Sequence, residues 1–511
     1  MARRLPLIAF GATLVPVLLV LGPILATALH GGGLTALRGS DLQALWFTLW
    51  QAALSALISC ALAVPLARAL ARRRFVGRTV LITALGAPFI LPVIAAILGL
   101  LAVFGRSGLL NHALGGIGLP TLTIYGAHGV ILAHVFFNLP LATRMVLQGW
   151  QSIPAERLRL AATLDFDGAA MWRHLERPML RATLPGAFVA IFLVCLGSFA
   201  VALTLGGGPS ATTVELAIYQ AFRFDYDTGR AASLALVQVA LCLMAVGIGA
   251  KLSAPAAFGA GLDRPALFAP STRLAQWADA TVIAASALFL LLPIALILWR
   301  GLPALATMPP MVWQAALTSL TIALGSTALT LALALPLALH APRHRWTEGA
   351  AMLPLAASGL VLGTGLFLMI QPFAAPTSLL IPVTLVVNAT LSLPFVTRLL
   401  LPEIHALQAD YDRLATSLDM GGAAKLRFLT LPRLARPLGF SAGLACAFSM
   451  GDLGVITLFS DGQTRTLPLA IFQLMGSYRL DQAAAAATLL LTLTFGLFAL
   501  FDRIGHHAGP R

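Results

Sequence analysis

The sequence predicts an all-α polytopic membrane protein of about 12 transmembrane helices in two parallel six-helix repeats. Three observations carry this reading. Apolar residues make up 59% of the 511 positions and charged ones only 10%, against roughly 25% charged in soluble chains. The apolar residues come in blocks of about 20, the length a helix needs to cross a hydrocarbon core of roughly 30 Å. The stretch "RLAATLD" (159–165) returns as "RLATSLD" (413–419), 254 residues further on.

The expected spans of the first half lie near 5–29, 46–70, 79–104, 127–148, 186–206 and 231–250. Those of the second half lie near 280–299, 313–339, 350–371, 380–401, 438–459 and 483–501. The sixth and ninth are the weakest, diluted by Gly, Ala and Pro. The first follows "MARR" and runs for about 25 apolar residues, longer than a signal-peptide core of 7–15, so it is read as an uncleaved span. No series of alternating segments of about 10 residues marks a barrel. Mean hydropathy is +0.90.

Net charge is +14, and the placement of that charge matters more than its sum. Arginines cluster in alternate connections: Arg3 and Arg4, "RALARRRFVGR" (68–78), 157–181, Arg343 with Arg345, and 413–436. The positive-inside rule then places both termini in the cytoplasm. Basicity reports topology, and nucleic acid is not an expected partner. Cys60, Cys195, Cys242 and Cys446 all fall inside expected spans and are read as small packing residues, with no metal expected.

The duplication extends well beyond its first match. At the same offset "LPLATR" (139–144) faces "LPFVTR" (393–398) and Pro178 faces Pro432. Upstream, "AVPLARALARRR" (63–74) pairs with "ALPLALHAPRHR" (334–345) at an offset of 271, so the second copy lacks 17 residues of the stretch 104–126. Downstream, "ELAIYQ" (215–220) pairs with "PLAIFQ" (468–473) at an offset of 253. An even number of spans per copy makes the copies parallel. The expected organisation is a first repeat over 1–251, a Pro, Gly and Ala rich cytoplasmic linker over 252–278, and a second repeat over 279–511.

Each copy of the short stretch sits in the connection between the fourth and fifth spans, which is longer than a turn requires. Segment 153–180 carries helix-start chemistry at Pro154 and Glu156, then the small residues Ala161 and Ala162. Asp165 follows, one of the few non-glycine residues that tolerates a left-handed helix stop, with Gly168 beyond it. Segment 407–434 repeats the plan with Ala415, Thr416, Asp419 and Gly421. Two short surface helices at matching places are expected to offer a partner two equivalent docking knobs.

A short helix, small residues and a proline 13 positions after the helix stop resemble the EAA loop of ABC importer permeases. Residue by residue, Arg159, Ala161, Leu164, Asp165 and Pro178 match the motif, as do Arg413, Ala415, Leu418, Asp419 and Pro432. Both copies depart from it: the family's glutamate is Arg159 or Arg413, and its glycine is Asp165 or Asp419. The resemblance implies that both loops dock into a pair of ATP-binding cassette ATPase subunits. This chain has two lysines, Lys251 and Lys425, each after an alanine, so it encodes no P-loop. It is not expected to be an enzyme or to hold a cofactor, ATP being bound by the partner.

Over almost the whole chain, "HVFFNLPLATRMVLQGWQSIP" (134–154), "LGGGPSATTVELAIYQAFRFDYDTGRAASLALVQ" (205–238), "SMGDLGVITLF" (449–459) and "RTLPLAIFQLMGSYR" (465–479) are similar to the thiamine and thiamine pyrophosphate permease family. That resemblance implies a bacterial inner-membrane location, a periplasmic solute-binding protein as partner and thiamine or its pyrophosphate as solute. Fused iron(III) permeases share the two-loop plan and supply the alternative substrate. A proton-coupled secondary transporter is the rival class, but the long loops after the fourth and tenth spans would then lack a purpose.

Candidates for the solute path are polar or aromatic residues in or beside the spans. Asp452 lies in the eleventh span, where a carboxylate is costly unless it faces protein or a wet path. Asn138, one turn from His134, and Asn388 suit interhelical hydrogen bonds equally well. Tyr219 and Phe472 lie in the short periplasmic segments 213–222 and 466–476, as gate residues or as interfacial anchors.

Overall fold

The computed structural model describes residues 5–31, 37–86, 90–166, 168–252, 272–342, 344–460 and 462–508. Among these, all regular structure is helical. Eleven helices are long and apolar enough to cross a membrane, and a twelfth span is counted when Trp346–Ala356 and Gly359–Ile370, bent by 93°, are taken together. The protein is therefore a polytopic membrane protein. The ninth span, weak in sequence, is the bent one.

Two kinds of boundary differ from expectation. The apolar stretch from 79 is divided: Arg78–Ala84 is a short helix, and the third span starts after Pro92, as Val93–Gly116. Proline disfavours helical conformation in the residue before it, which ends any continuation across 91–92. The fifth and eleventh spans, expected at 186–206 and 438–459, are Gly168–Leu196 and Gly422–Phe459, because the loop pieces before them are themselves helical and run on into the span. The expected linker lies mostly outside the described residues, and the seventh span begins at Arg273, ahead of 280.

Packing does not respect the midpoint of the chain. The first span (Leu5–His30) lies on the ninth and eighth spans of the second half, and the seventh (Arg273–Ala304) lies on the third and second spans of the first. Each crossing uses the same device. A Cβ on Gly99 would stand 2.7 Å from the Pro293 carbonyl oxygen, and one on Gly365 would collide with the Pro23 carbonyl. Glycine removes the side chain that would hold the backbones apart, which is how helices approach closely in lipid. The outer faces of the two exchanged spans leave Leu14, Leu18, Leu21, Leu25, Leu288, Leu291 and Trp299 exposed, suited to hydrocarbon.

The halves repeat one another down to single hydrogen bonds. The short helix Val214–Arg223 is seated by its Val214 N–H donating to Thr48 Oγ1 at 2.9 Å, and Leu467–Gly476 by Leu467 N–H donating to Ser319 Oγ at 2.8 Å. They differ in charge. At the start of the second and sixth spans of the first half, buried Asp41 pairs with Arg230, and Asp225, Asp227 and Arg38 surround the pair. Val312 and Gln482 stand at the matching places of the second half.

Gly365→Ala should lower the unfolding midpoint of the purified protein in detergent, as overpacking by about 1–3 kcal/mol. Gly247→Ala, whose new Cβ meets nothing within 4 Å, should leave the midpoint unchanged or raise it slightly. Equal midpoints for the two variants would refute the crossing as a stability determinant.

Candidate functional site

Two constellations stand out: a pair of loops on the arginine-rich side, and a set of interrupted helices where the halves meet. The first-half loop begins with Ala155–Thr163, entered through Pro154 in extended conformation. It ends in a left-handed residue: Asp165 has φ 46°, Phe166 N–H bonds to Ala161 O at 3.0 Å, and Asp165 N–H bonds to Ala162 O at 3.3 Å. This is a Schellman stop. The second half repeats it, with Asp419 at φ 46°, Met420 N–H to Ala415 O at 2.9 Å and Asp419 N–H to Thr416 O at 3.1 Å. Gly168 opens the next helix and Gly421 sits in extended backbone at φ −61°, so the turn rests on the aspartates and not on those glycines.

The second-half loop is not a separate helix as expected. Leu380–Ser417 runs unbroken from the tenth span to the stop. The reason is local: the place of Pro154 is taken by Gln408, which keeps its N–H and lets the helix continue. After each stop a π-helical segment precedes the proline of the motif, Trp172–Glu176 before Pro178 and Lys425–Thr430 before Pro432. Proline lacks the N–H for a regular bond to the fourth residue back and crowds that carbonyl, and a widened turn accommodates both effects.

Ala161 and Ala415, expected to face a partner, are 3% and 4% exposed and pack inside the chain. Exposure falls on the other expected residues, Arg159, Ala162, Leu164, Asp165, Gly168, Arg413, Thr416, Leu418, Asp419 and Gly421. It also falls on two that sequence reasoning missed, Leu160 and Leu414. With Leu164 and Leu418 they make an apolar pair on each helix, 52–64% exposed and four residues apart. The signal was present as leucines recurring at helical spacing within a polar loop.

Both loops are fastened to the same level of equivalent spans. Glu176, 2% exposed, pairs with Arg68 at 2.9 Å and Arg72 at 2.6 Å on the second span. Gln408 Nε2 donates to the carbonyl of Leu339 at 3.4 Å on the eighth span, and Leu339 is the counterpart of Arg68. Arg73 pairs with Asp279 of the seventh span at 2.7 Å, tying the halves together on this side.

The second constellation gathers the helix breaks. The fifth span ends at Gly197, and the eleventh is interrupted at the matching Gly451 before Gly454–Phe459 resumes. A Cβ on Gly451 would stand 3.3 Å from Pro92, where the third span starts, and one on Gly454 would lie within 4 Å of Asp452, Phe199 and Leu360. The third, fifth, ninth and eleventh spans thus bring their irregular backbone to one place. Irregular backbone at membrane depth persists only where its polar groups are satisfied by protein or face a wet cavity.

In the first half the carbonyls of Cys195, which also takes the Ser198 N–H, and of Leu196 accept from Gln51 Nε2 at 3.3 Å and Gln238 Nε2 at 2.9 Å, and His134 Nε2 lies 2.8 Å from Ser198 Oγ. Asn138 Nδ2 donates to His134 O at 2.8 Å and to Cys195 Sγ at 3.3 Å. Asn388 Nδ2, in the place of His134, donates to Ser449 Oγ at 3.0 Å. Asp452, in the place of Ser198, accepts from Gly454 N–H at 3.2 Å through Oδ1, while its buried Oδ2 has no hydrogen-bond partner.

Aromatic rings bridge the halves beside this break. Tyr219 is half-buried with its ring 5.3 Å from Phe199 and 5.7 Å from Phe224. Phe222 meets Phe367 at 4.4 Å, and Phe367 meets Phe459 at 5.7 Å. Phe472, the counterpart of Tyr219, is likewise half-buried and joins none of these ring pairs.

A duplicated polytopic helical chain, with its broken spans meeting at the centre and matching exposed helices on one side, is a membrane transport permease. Comparison with known proteins gives the family. The thiamine transport system permease protein ThiP of Salmonella typhimurium is 39% identical over 478 residues, spanning 90% of this chain and 89% of that protein. ThiP of Escherichia coli is 40% identical over 473 residues (90% and 88%), and ThiP of Brucella abortus 38% over 503 residues (94% and 92%). No protein-family model matches the chain. The chain belongs to the thiamine transport system permease family.

Replacing both left-handed aspartates by glycine, Asp165→Gly with Asp419→Gly, should stabilise the protein by about 1 kcal/mol per site, since glycine adopts positive φ without strain. A raised unfolding midpoint is the expected readout, and a lowered one would show that the carboxylates hold the turns.

Proposed function

We propose that this chain is the membrane-spanning subunit of an ATP-driven importer that carries thiamine, free or as its pyrophosphate, across the bacterial inner membrane. The observation that carries the reading is the identity of 38–40% over about nine-tenths of the chain with permeases named for thiamine transport. Both termini and the two loops then lie in the cytoplasm, where the arginines of 68–78, 157–181 and 413–436 favour them. The domain reading is two repeats, 1–251 and 279–511, joined by the linker 252–278.

Two ATPase subunits would grip the loops, one each, and a periplasmic solute-binding protein would deliver the solute at the opposite face. ATP is bound and hydrolysed by the partners, and this chain uses no cofactor. The leucine pairs 160/164 and 414/418 supply apolar anchors for a groove, ringed by Arg159, Arg413, Asp165 and Asp419. Movement of a gripped loop passes to the second span through Glu176 with Arg68 and Arg72, and to the eighth through Gln408. Because each half moves as packed helices, drawing the loops together shifts the central breaks and switches the path between two states by differential contacts. Asp452, flanked by Asn388, is an acidic group at the break that suits a cationic thiazolium, and Asn138 belongs to the scaffold that holds the first-half break.

Cells lacking this chain should regain radiolabelled thiamine uptake, and not Fe3+ uptake, when it is restored. Recovery of iron uptake alone would overturn the substrate. Leu160→Glu with Leu414→Glu should abolish uptake by about tenfold or more while the protein remains folded, because charge in a desolvated anchor removes a hot spot. Unchanged uptake would remove the leucine pairs from the docking face. Ala161→Glu with Ala415→Glu should instead reduce the amount of folded protein, since both methyls are buried.

A further inference from the structure

Glu215 is a buried carboxylate in the first turn of a short helix. It lies outside the spans, in the short helix Val214–Arg223, and is 1% exposed with Oε1 lacking any hydrogen-bond partner. Among the described residues the groups acting on it are Ser358 of the other half, which hydrogen-bonds it, and the Cys242 thiol of the sixth span; neither is cationic. The duplication supplies an internal control. The equivalent helix Leu467–Gly476 is seated by the same kind of bond, on Ser319 in place of Thr48, and carries Pro468 where the first half has Glu215. Seating this helix therefore does not require an acid, and a buried carboxyl with no ion-pair partner is costly to keep.

Its surroundings point to what it receives. Val214–Arg223 packs on Gly359–Ile370 and Gly454–Phe459, so Glu215 stands at the contact between the halves, on the side of the helix breaks. Tyr219 follows one turn later on the same helix face, and the rings of Phe199, Phe222, Phe367 and Phe459 continue across the same contact. A carboxylate and an aromatic ring one turn apart on the same helix supply the two kinds of group that attract an organic cation, charge and the quadrupole of the ring.

We propose that Glu215 is the counter-charge that the parting halves present to a cationic aromatic solute, covered in the closed path by the Ser358 end of the ninth span. This rests on the cationic substrate of the preceding reading and adds the residue that recognises the charge. Burial pushes its carboxyl up to about 8. Closure therefore holds it protonated at neutral pH, and water admitted on opening returns it to the carboxylate.

The test uses the full importer, this chain with its ATPase and binding protein, in proteoliposomes. Glu215→Gln copies the protonated form, so the unfolding midpoint should stay within about 2 °C of the parent. Uptake of radiolabelled thiamine should fall by about tenfold while ATP hydrolysis stimulated by loaded binding protein persists. Glu215→Asp should recover part of the uptake. Unchanged thiamine uptake in Glu215→Gln overturns the proposal, as does a parallel loss of stability, stimulated hydrolysis and uptake, which would make Glu215 structural. If the parent itself takes up no thiamine, the substrate reading fails separately. A panel of radiolabelled cationic, neutral and anionic solutes then decides the matter: a transported cation sensitive to Glu215→Gln upholds the proposal, and a transported neutral or anionic solute refutes it.

Discussion

The structure depends on the reciprocal exchange of the first helix of each half. Pro23 of the first span fits against Gly365 of the ninth, and Pro293 of the seventh against Gly99 of the third. In lipid no hydrophobic force drives helices together, so close backbone approach has to supply the attraction. Each half is clasped by a helix from the other, and the third and ninth spans are held near the central contact. That placement brings their irregular ends, at Pro92 and at Ser358, beside the breaks of the eleventh and fifth spans.

Once the breaks meet, their backbone groups have to be satisfied, and the halves solve this differently. The first half spends neutral amides, Gln51 and Gln238, on the carbonyls of Cys195 and Leu196. The second half has Ile322 and Leu490 at the corresponding positions and places Asp452 at the break itself. The pseudosymmetric frame thus carries unsymmetrical residues: Asp452 stands where the first half has Ser198, and Glu215 where the second has Pro468.

The loops on the arginine-rich side have diverged less. The left-handed aspartates share the same φ of 46°, and both leucine pairs remain exposed. What differs is how each loop is attached, by a hinge at Pro154 with a buried ion pair at Glu176 in one half, and by a continuous helix to Ser417 in the other. A continuous helix and an interrupted one therefore end in the same kind of exposed apolar surface.

The sequence by itself determined the helical class, the duplication and the places of both loops, because hydrophobic length and internal repetition are properties of the chain alone. It also determined the left-handed stops, since Asp165 and Asp419 end a helix by a local conformational preference. Tertiary structure decided the rest. The direction of Ala161 and Ala415 into the core, with Leu160 and Leu414 facing out, depends on where the helix sits against its neighbours, as small size alone does not say which face a residue occupies. The begin and end points of the third, fifth and eleventh spans depended on how polar loop pieces docked as helices. Glu215 stayed hidden among the residues of an amphipathic segment, because a carboxylate on a short helix reads as solvated until another part of the chain is seen to cover it.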